Sequence, residues 1–155
     1  MKKFNGVGLL ALLAVAAVSA SAEEYSAILE CKIEKEEKST LIKISGNSDS
    51  PSWQVWMPDK KRWTENSCGV EDSAFGHKWR YVCNFSPDYY MNKSEFLERN
   101  QDRRLYGTGK QEINRRTGIY EVSEYSMERG VYTLHSPEFG YCVKSAEPVV
   151  PGVQF

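Results

Sequence analysis

The stretch Lys78-Trp79-Arg80-Tyr81-Val82-Cys83-Asn84-Phe85 decides the fold class. Trp79, Tyr81, Cys83 and Phe85 alternate with Lys78, Arg80, Val82 and Asn84. A side-chain period of two places alternate residues on opposite faces of a strand, so the aromatics and the cysteine share one buried face. Ser86, Pro87 and Asp88 end the run. The same alternation recurs on both sides of it. Upstream, Ala27, Leu29, Cys31 and Ile33 alternate with a mostly charged row, and Glu34 to Lys38 reads as a solvated hairpin tip. Thr40 to Ile44 follows, then a loop from Gly46 to Pro51, then Ser52 to Met57 with Trp53, Val55 and Met57 on one face and Trp56 on the other. Pro58 to Lys61 reads as a turn before Arg62 and Trp63, and Cys68 to Gly76 as a polar loop.

Downstream, Asn92 to Arg104 is the one segment with a helical signal: Asn92 and Glu95 have capping-box spacing, and Phe96 and Leu97 supply a small apolar face. Strand signals return at Gln111 to Asn114, Ile119 to Tyr125, Val131 to Ser136 and Gly140 to Ser145. The sequence therefore predicts a mainly β protein, an antiparallel meander of about eight strands forming a small barrel or sandwich, with at most one short helix.

The N-terminus has a different character. Lys2 and Lys3 precede an apolar run of 12 residues from Val7 to Val18, followed by Ser19, Ala20, Ser21 and Ala22. That order of charged, apolar and small residues is the layout of a secretory signal, with cleavage expected after Ala22. The run is short of the roughly 20 residues a spanning helix needs. The expected division is a cleaved signal over residues 1–22, a single β domain over 23–147 and an extended tail over 148–155. In that tail two prolines and a glycine spoil a membrane-barrel strand. The expected location is periplasmic or secreted, with no transmembrane segment in the mature chain. Losing residues 1–22 removes Lys2 and Lys3 and no acid, so the net charge moves from −1 to −3. That balance does not suit nucleic acid. Four cysteines remain, Cys31, Cys68, Cys83 and Cys142. An even count in an exported chain argues for two disulfides. Of three possible pairings, Cys68 with Cys83 closes a short loop, and Cys31 with Cys142 ties the first strand to the last.

No residue set reads as a catalytic or metal site, and no cofactor is implied. There is no C-x-x-C pair, and His77 and His135 lack a matched ligand spacing. His77 stands near Glu71 and Ser73 without a nucleophile-elbow pattern, so a loop histidine is the plainer reading. The adjacent pairs Glu36–Glu37 and Glu71–Asp72 cannot face each other across a glycosidic bond from one strand. The basic residues Arg99, Arg103, Arg104, Lys110, Arg115 and Arg116 are interleaved with acids and read as a solvated face. Trp56, Trp63, Tyr89 and Tyr90 are candidates for stacking on a sugar or anchoring a protein, against core packing as the alternative.

Two resemblances add to this. Ile113-Asn114-Arg115-Arg116-Thr117-Gly118-Ile119-Tyr120 with the later Gly140-Tyr141-Cys142 resembles a hairpin pattern of short exported bacterial proteins of unknown function. It covers about 30 residues and implies an exported β protein. In size, export and early and late cysteines the chain is also similar to periplasmic lysozyme inhibitors. Their inhibitory loop carries a Ser-Ala-Ser-Gly-like stretch before a strand. Ser73-Ala74-Phe75-Gly76 stands in that place here, with Phe75 where those proteins have a small polar residue. This resemblance implies a non-enzymatic binding protein and adds Phe75 to the candidate residues. The partner would be an extracytoplasmic protein or an envelope glycan; the competing classes are an envelope structural protein and a small hydrolase.

Overall fold

The computed structural model describes residues 23–149. The proposed signal, residues 1–22, and the tail from residue 150 onward lie outside the described residues; Pro148 and Val149 are in no strand. The described chain contains no helix and forms eleven strands. They are β1 (Tyr25–Ile33), β2 (Thr40–Gly46), β3 (Pro51–Met57), β4 (Arg62–Trp63), β5 (Glu71–Ala74), β6 (His77–Phe85), β7 (Tyr89–Glu98), β8 (Leu105–Asn114), β9 (Ile119–Glu128), β10 (Val131–Leu134) and β11 (Glu138–Lys144). Every pairing is antiparallel, in the order β4-β3-β2-β1-β11-β9-β8-β7-β6-β5, with β10 against β9. The result is one strongly curved sheet, a half-barrel.

Residues 64–70, in no strand themselves, bridge the two flanks of that curve. Thr64 N–H donates to Val55 O at 2.8 Å and Ser67 N–H to Trp53 O at 3.0 Å, both on β3. Gly69 N–H then donates to Tyr81 O at 2.8 Å, and Tyr81 N–H to Val70 O at 3.0 Å, on β6. Asn66 Oδ1 accepts from the N–H groups of Trp53 and Cys68. Backbone groups at a sheet edge are thus satisfied without a further strand.

Three expectations are corrected. Residues 92–104 form no helix. Tyr90, Asn92, Ser94 and Phe96 alternate at period two, and β7 pairs with β6 on one side and β8 on the other. The capping-box spacing of Asn92 and Glu95 is a local signal only; two ladders of backbone hydrogen bonds plus a buried face outweigh it. The expected polar loop of residues 68–76 contains β5, a short charged edge strand that periodicity cannot distinguish from a loop. The count is eleven strands rather than about eight, because β4 and β5 are too short to show a period-two pattern and β7 occupies the segment expected to be helical.

The main core gathers Tyr25, Leu29, Ile33, Ile42, Ile44, Trp53, Phe85, Tyr90, Ile113 and Tyr120 around the Cys31–Cys142 disulfide. Cys31 and Cys142 are direct cross-strand neighbours, so this bond locks the first strand to the last. Cys68–Cys83 anchors the bridging segment to β6. Disulfides form and persist in oxidising compartments, so both bonds are consistent with a location outside the cytoplasm. The burial pattern of β9 changes phase partway along: Tyr120 is buried in the main core, then Ser123, Tyr125 and Met127 are buried. The change comes beside an irregularity in β8 between Thr108 and Lys110, where an extra residue shifts the register. A second, aromatic core results: Phe96 packs edge-on against Tyr125 at 5.0 Å, Tyr132 at 5.6 Å and His77 at 6.1 Å.

The Ile113–Tyr120 motif is spent on this architecture. Asn114 Oδ1 accepts from the N–H groups of Arg116 and Thr117, which makes the turn. The Arg115 guanidinium lies 4.8 Å from the Tyr25 ring centre and 5.0 Å from that of Tyr90, and donates to Ser86 O at 2.7 Å. Gly118 has φ +73°, and a Cβ there would lie 2.7 Å from Cys142 O, so only glycine fits.

Candidate functional site

The β5–β6 connection is a two-residue hairpin turn, since Ala74 pairs with His77. Phe75 and Gly76 occupy it with φ of +53° and +78°. Two-residue turns with both φ values positive match the twist of the flanking strands and favour Asn-Gly or Gly-Gly. A bulky aromatic at the first position is a genuine outlier, and the left-handed conformation costs it about 1–2 kcal/mol. The ring is not compensated by burial: Phe75 is 66% exposed.

The tip is held from beneath. His77 has no exposed surface. Asn100 N–H donates to its Nδ1 at 3.2 Å, and Nε2 lies 3.3 Å from Arg103 O. A backbone N–H can only donate and a carbonyl can only accept, so the ring carries its proton on Nε2. Asn100 Nδ2 donates to Phe75 O at 3.1 Å. A Cβ on Gly76 would lie 2.6 Å from that Nδ2. The hairpin tip and the loop from Asn100 to Arg103 are therefore one braced unit. Both ring nitrogens of His77 are committed to backbone, so the ring is not free to take a proton from Ser73 Oγ. Beside the turn, Lys78 and Glu71 pair at 2.8 Å; this contact holds the Glu71 carboxyl below its ordinary range and the Lys78 ammonium above its own.

The other sequence candidates are not gathered here. Trp56 and Trp63 do meet, edge to face at 5.4 Å, on the face of β3 opposite the buried Trp53. They are half-buried, and the Trp63 indole N–H donates to Glu147 Oε2 at 3.1 Å, while Lys43 Nζ pairs with Glu147 Oε1 at 2.6 Å. The segment after β11 thus already uses the polar edge of Trp63. Tyr89 sits at the β6–β7 turn, at the end of β6 opposite Phe75. Tyr90 is 7% exposed and belongs to the main core, where burial raises its phenol pKa; it offers no stacking face to a ligand. His135 lies on the surface with Nε2 3.0 Å from Ser126 Oγ, a contact the sequence did not single out.

The brace itself, His77 with Asn100, was also invisible in the sequence. His77 reads as a loop residue there, and Asn100 lies 23 positions away on what looked like a helix. The usable signal was the rarity of Phe before Gly at a hairpin tip. Among the described residues no group of three or more His, Cys, Asp or Glu side chains could hold a metal ion, and no helix is long and apolar enough to cross a membrane. No protein-family model matches the chain, and no curated protein or solved structure matches it significantly.

Proposed function

We propose that this is an exported, periplasmic or secreted, non-enzymatic binding protein that engages a protein partner through the Phe75 hairpin tip, in the manner of an inhibitor. One observation carries the reading. Phe75 is exposed, held in a conformation its side chain disfavours, and braced by a fully buried histidine. Strain of this kind persists only where the surroundings enforce it, and it concentrates at functional sites. An exposed aromatic on a rigid tip is the pre-organised anchor of a tight interface: it loses little entropy on docking and fills a pocket.

The test uses lysozyme as the probe, with the oxidised mature protein and its Phe75→Ser variant. Binding is followed by calorimetry and inhibition by cell-wall lysis. The reading expects saturable binding by the parent protein and its loss in the variant, with the melting curve unchanged. No binding to lysozyme retires the lysozyme-inhibitor version. Binding that the variant retains retires the tip as the contact.

A further inference from the structure

The concave side of the half-barrel is not sealed. Strands β3, β6, β7 and β8, with the bridging residues 64–70 and Asp72 of β5 at its wall, line a groove of about 510 Å³, within the roughly 300–1,000 Å³ typical of small-molecule sites. Its lining includes Trp53, Tyr81, Asn92, Ser94, Thr108 and Gln111. The choice of residues is unusual for inward positions. Along β7 the inward row runs Tyr90, Asn92, Ser94, and along β8 it runs Ile113, Gln111. Both rows begin in the apolar core and turn polar where the groove opens. Burying amides in place of apolar side chains costs stability unless their hydrogen bonds are made. Asn92 is 8% exposed, and its amide nitrogen donates to Ser67 Oγ at 3.0 Å, which fixes its orientation. Trp53 is 1% exposed, and its indole N–H, like that of Trp79 outside the groove, finds no acceptor among the described residues.

We propose that this groove binds a neutral saccharide of one to three rings. The amides of Asn92 and Gln111 and the hydroxyls of Ser94 and Thr108 line one space, with the half-buried ring of Tyr81 beside them and the buried Trp53 in its wall. Ser94 Oγ donates to Thr108 O at 3.0 Å and keeps its lone pairs for a ligand. A sugar ring presents the complement: adjacent hydroxyls that donate and accept, and a C–H face that packs on aromatic surface. The charged residues at the groove, Glu65, Asp72 and Lys93, are of mixed sign, so nothing there selects a phosphate or a polyanion. The site is independent of Phe75.

The test titrates the oxidised ¹⁵N-labelled protein with N,N′-diacetylchitobiose and with maltose by NMR, alongside co-sedimentation with purified peptidoglycan. The proposal expects one disaccharide to shift the Trp53 indole and the Asn92 and Gln111 side-chain amides in a saturable way. Gln111→Leu and Thr108→Val should each weaken that binding about tenfold with an unchanged near-ultraviolet spectrum, and Phe75→Ser should leave it intact. Co-sedimentation that the disaccharide competes away identifies a glycan chain as the source; disaccharide binding alone identifies a free sugar. Absence of saturable shifts with either sugar at millimolar concentration overturns the proposal. So does binding that both groove variants retain, or co-sedimentation that no disaccharide displaces.

Discussion

Replacing His77 by phenylalanine isolates what its ring nitrogens do. Phenylalanine is similar in shape and apolar, so it fills the site beside Phe96 without leaving a cavity. It cannot accept from Asn100 N–H or donate to Arg103 O. A fully buried backbone group left without a partner costs about 1–3 kcal/mol, and these two are part-buried. Two such groups set the expected loss at about 3 kcal/mol, because the loop can relax toward water and recover part of the maximum. For a domain of this size that corresponds to a fall in Tm of roughly 10 °C. Urea unfolding followed by tryptophan fluorescence measures the loss, and hydrogen exchange at Asn100 N–H localises it. His77→Asn, whose side-chain oxygen can take the place of Nδ1, should recover part of the stability and the Asn100 protection. A His77→Phe protein that loses less than about 1 kcal/mol and keeps Asn100 protected would refute the brace.

Other outcomes follow from the same contacts. Arg115→Ala should cost about 2 kcal/mol, because it removes two cation–ring contacts and the bond to Ser86 O, whereas Arg116→Ala on the surface should cost under about 0.5 kcal/mol in the same unfolding assay. Gly118→Ala, with its left-handed φ and a Cβ placed against Cys142 O, should lower the yield of correctly oxidised protein, read by mass spectrometry of the disulfide pairs. Replacing Cys68 and Cys83 together by serine should cost about 3 kcal/mol in the chain-entropy account of a loop this short. Burial pushes the Tyr125 phenol up to about 12 and raises that of Tyr120 further. The folded state therefore holds these protons where the unfolded chain releases them, so their contribution is fully present below about pH 10 and is lost as pH rises through the folded values. Alkaline unfolding monitored at 295 nm should show these phenols ionising together with loss of structure; ionisation of all nine tyrosines before unfolding would contradict it.

The sequence carried the sheet but not its shape. Period-two runs such as Trp79–Phe85 name a strand and its buried face directly, because one side of the sheet excludes water. The irregular places were hidden for a common reason: each depends on a partner far along the chain. Residues 92–98 look helical alone and are a strand because β6 and β8 flank them. The phase change in β9 follows from packing at its far half, where the aromatic core forms. For the candidate site, Phe75 entered only through the resemblance to lysozyme inhibitors, from a stretch expected to be a polar loop. Its brace was not legible, since His77 and Asn100 meet only after the hairpin and the following loop have folded. Tyr90 illustrates the opposite error. Adjacent to Tyr89 near a turn, it reads as surface, yet Arg115 from the β8–β9 turn covers it.

The placement of β11 between β1 and β9 sets an order of events for the nascent chain. Strands β1, β2 and β3 are made first, but β1 has to wait for its second neighbour until nearly the whole domain has emerged. During that interval the Cys31 thiol meets Cys68 and Cys83 long before Cys142, which lies 111 residues away. The final strand thus acts as a checkpoint: the middle of the sheet remains an open seam, and the thiol beside it stays vulnerable to the wrong partner, until synthesis is almost complete. Non-local pairing of this kind slows folding, so in oxidative refolding the Cys68–Cys83 bond should form early and Cys31–Cys142 last.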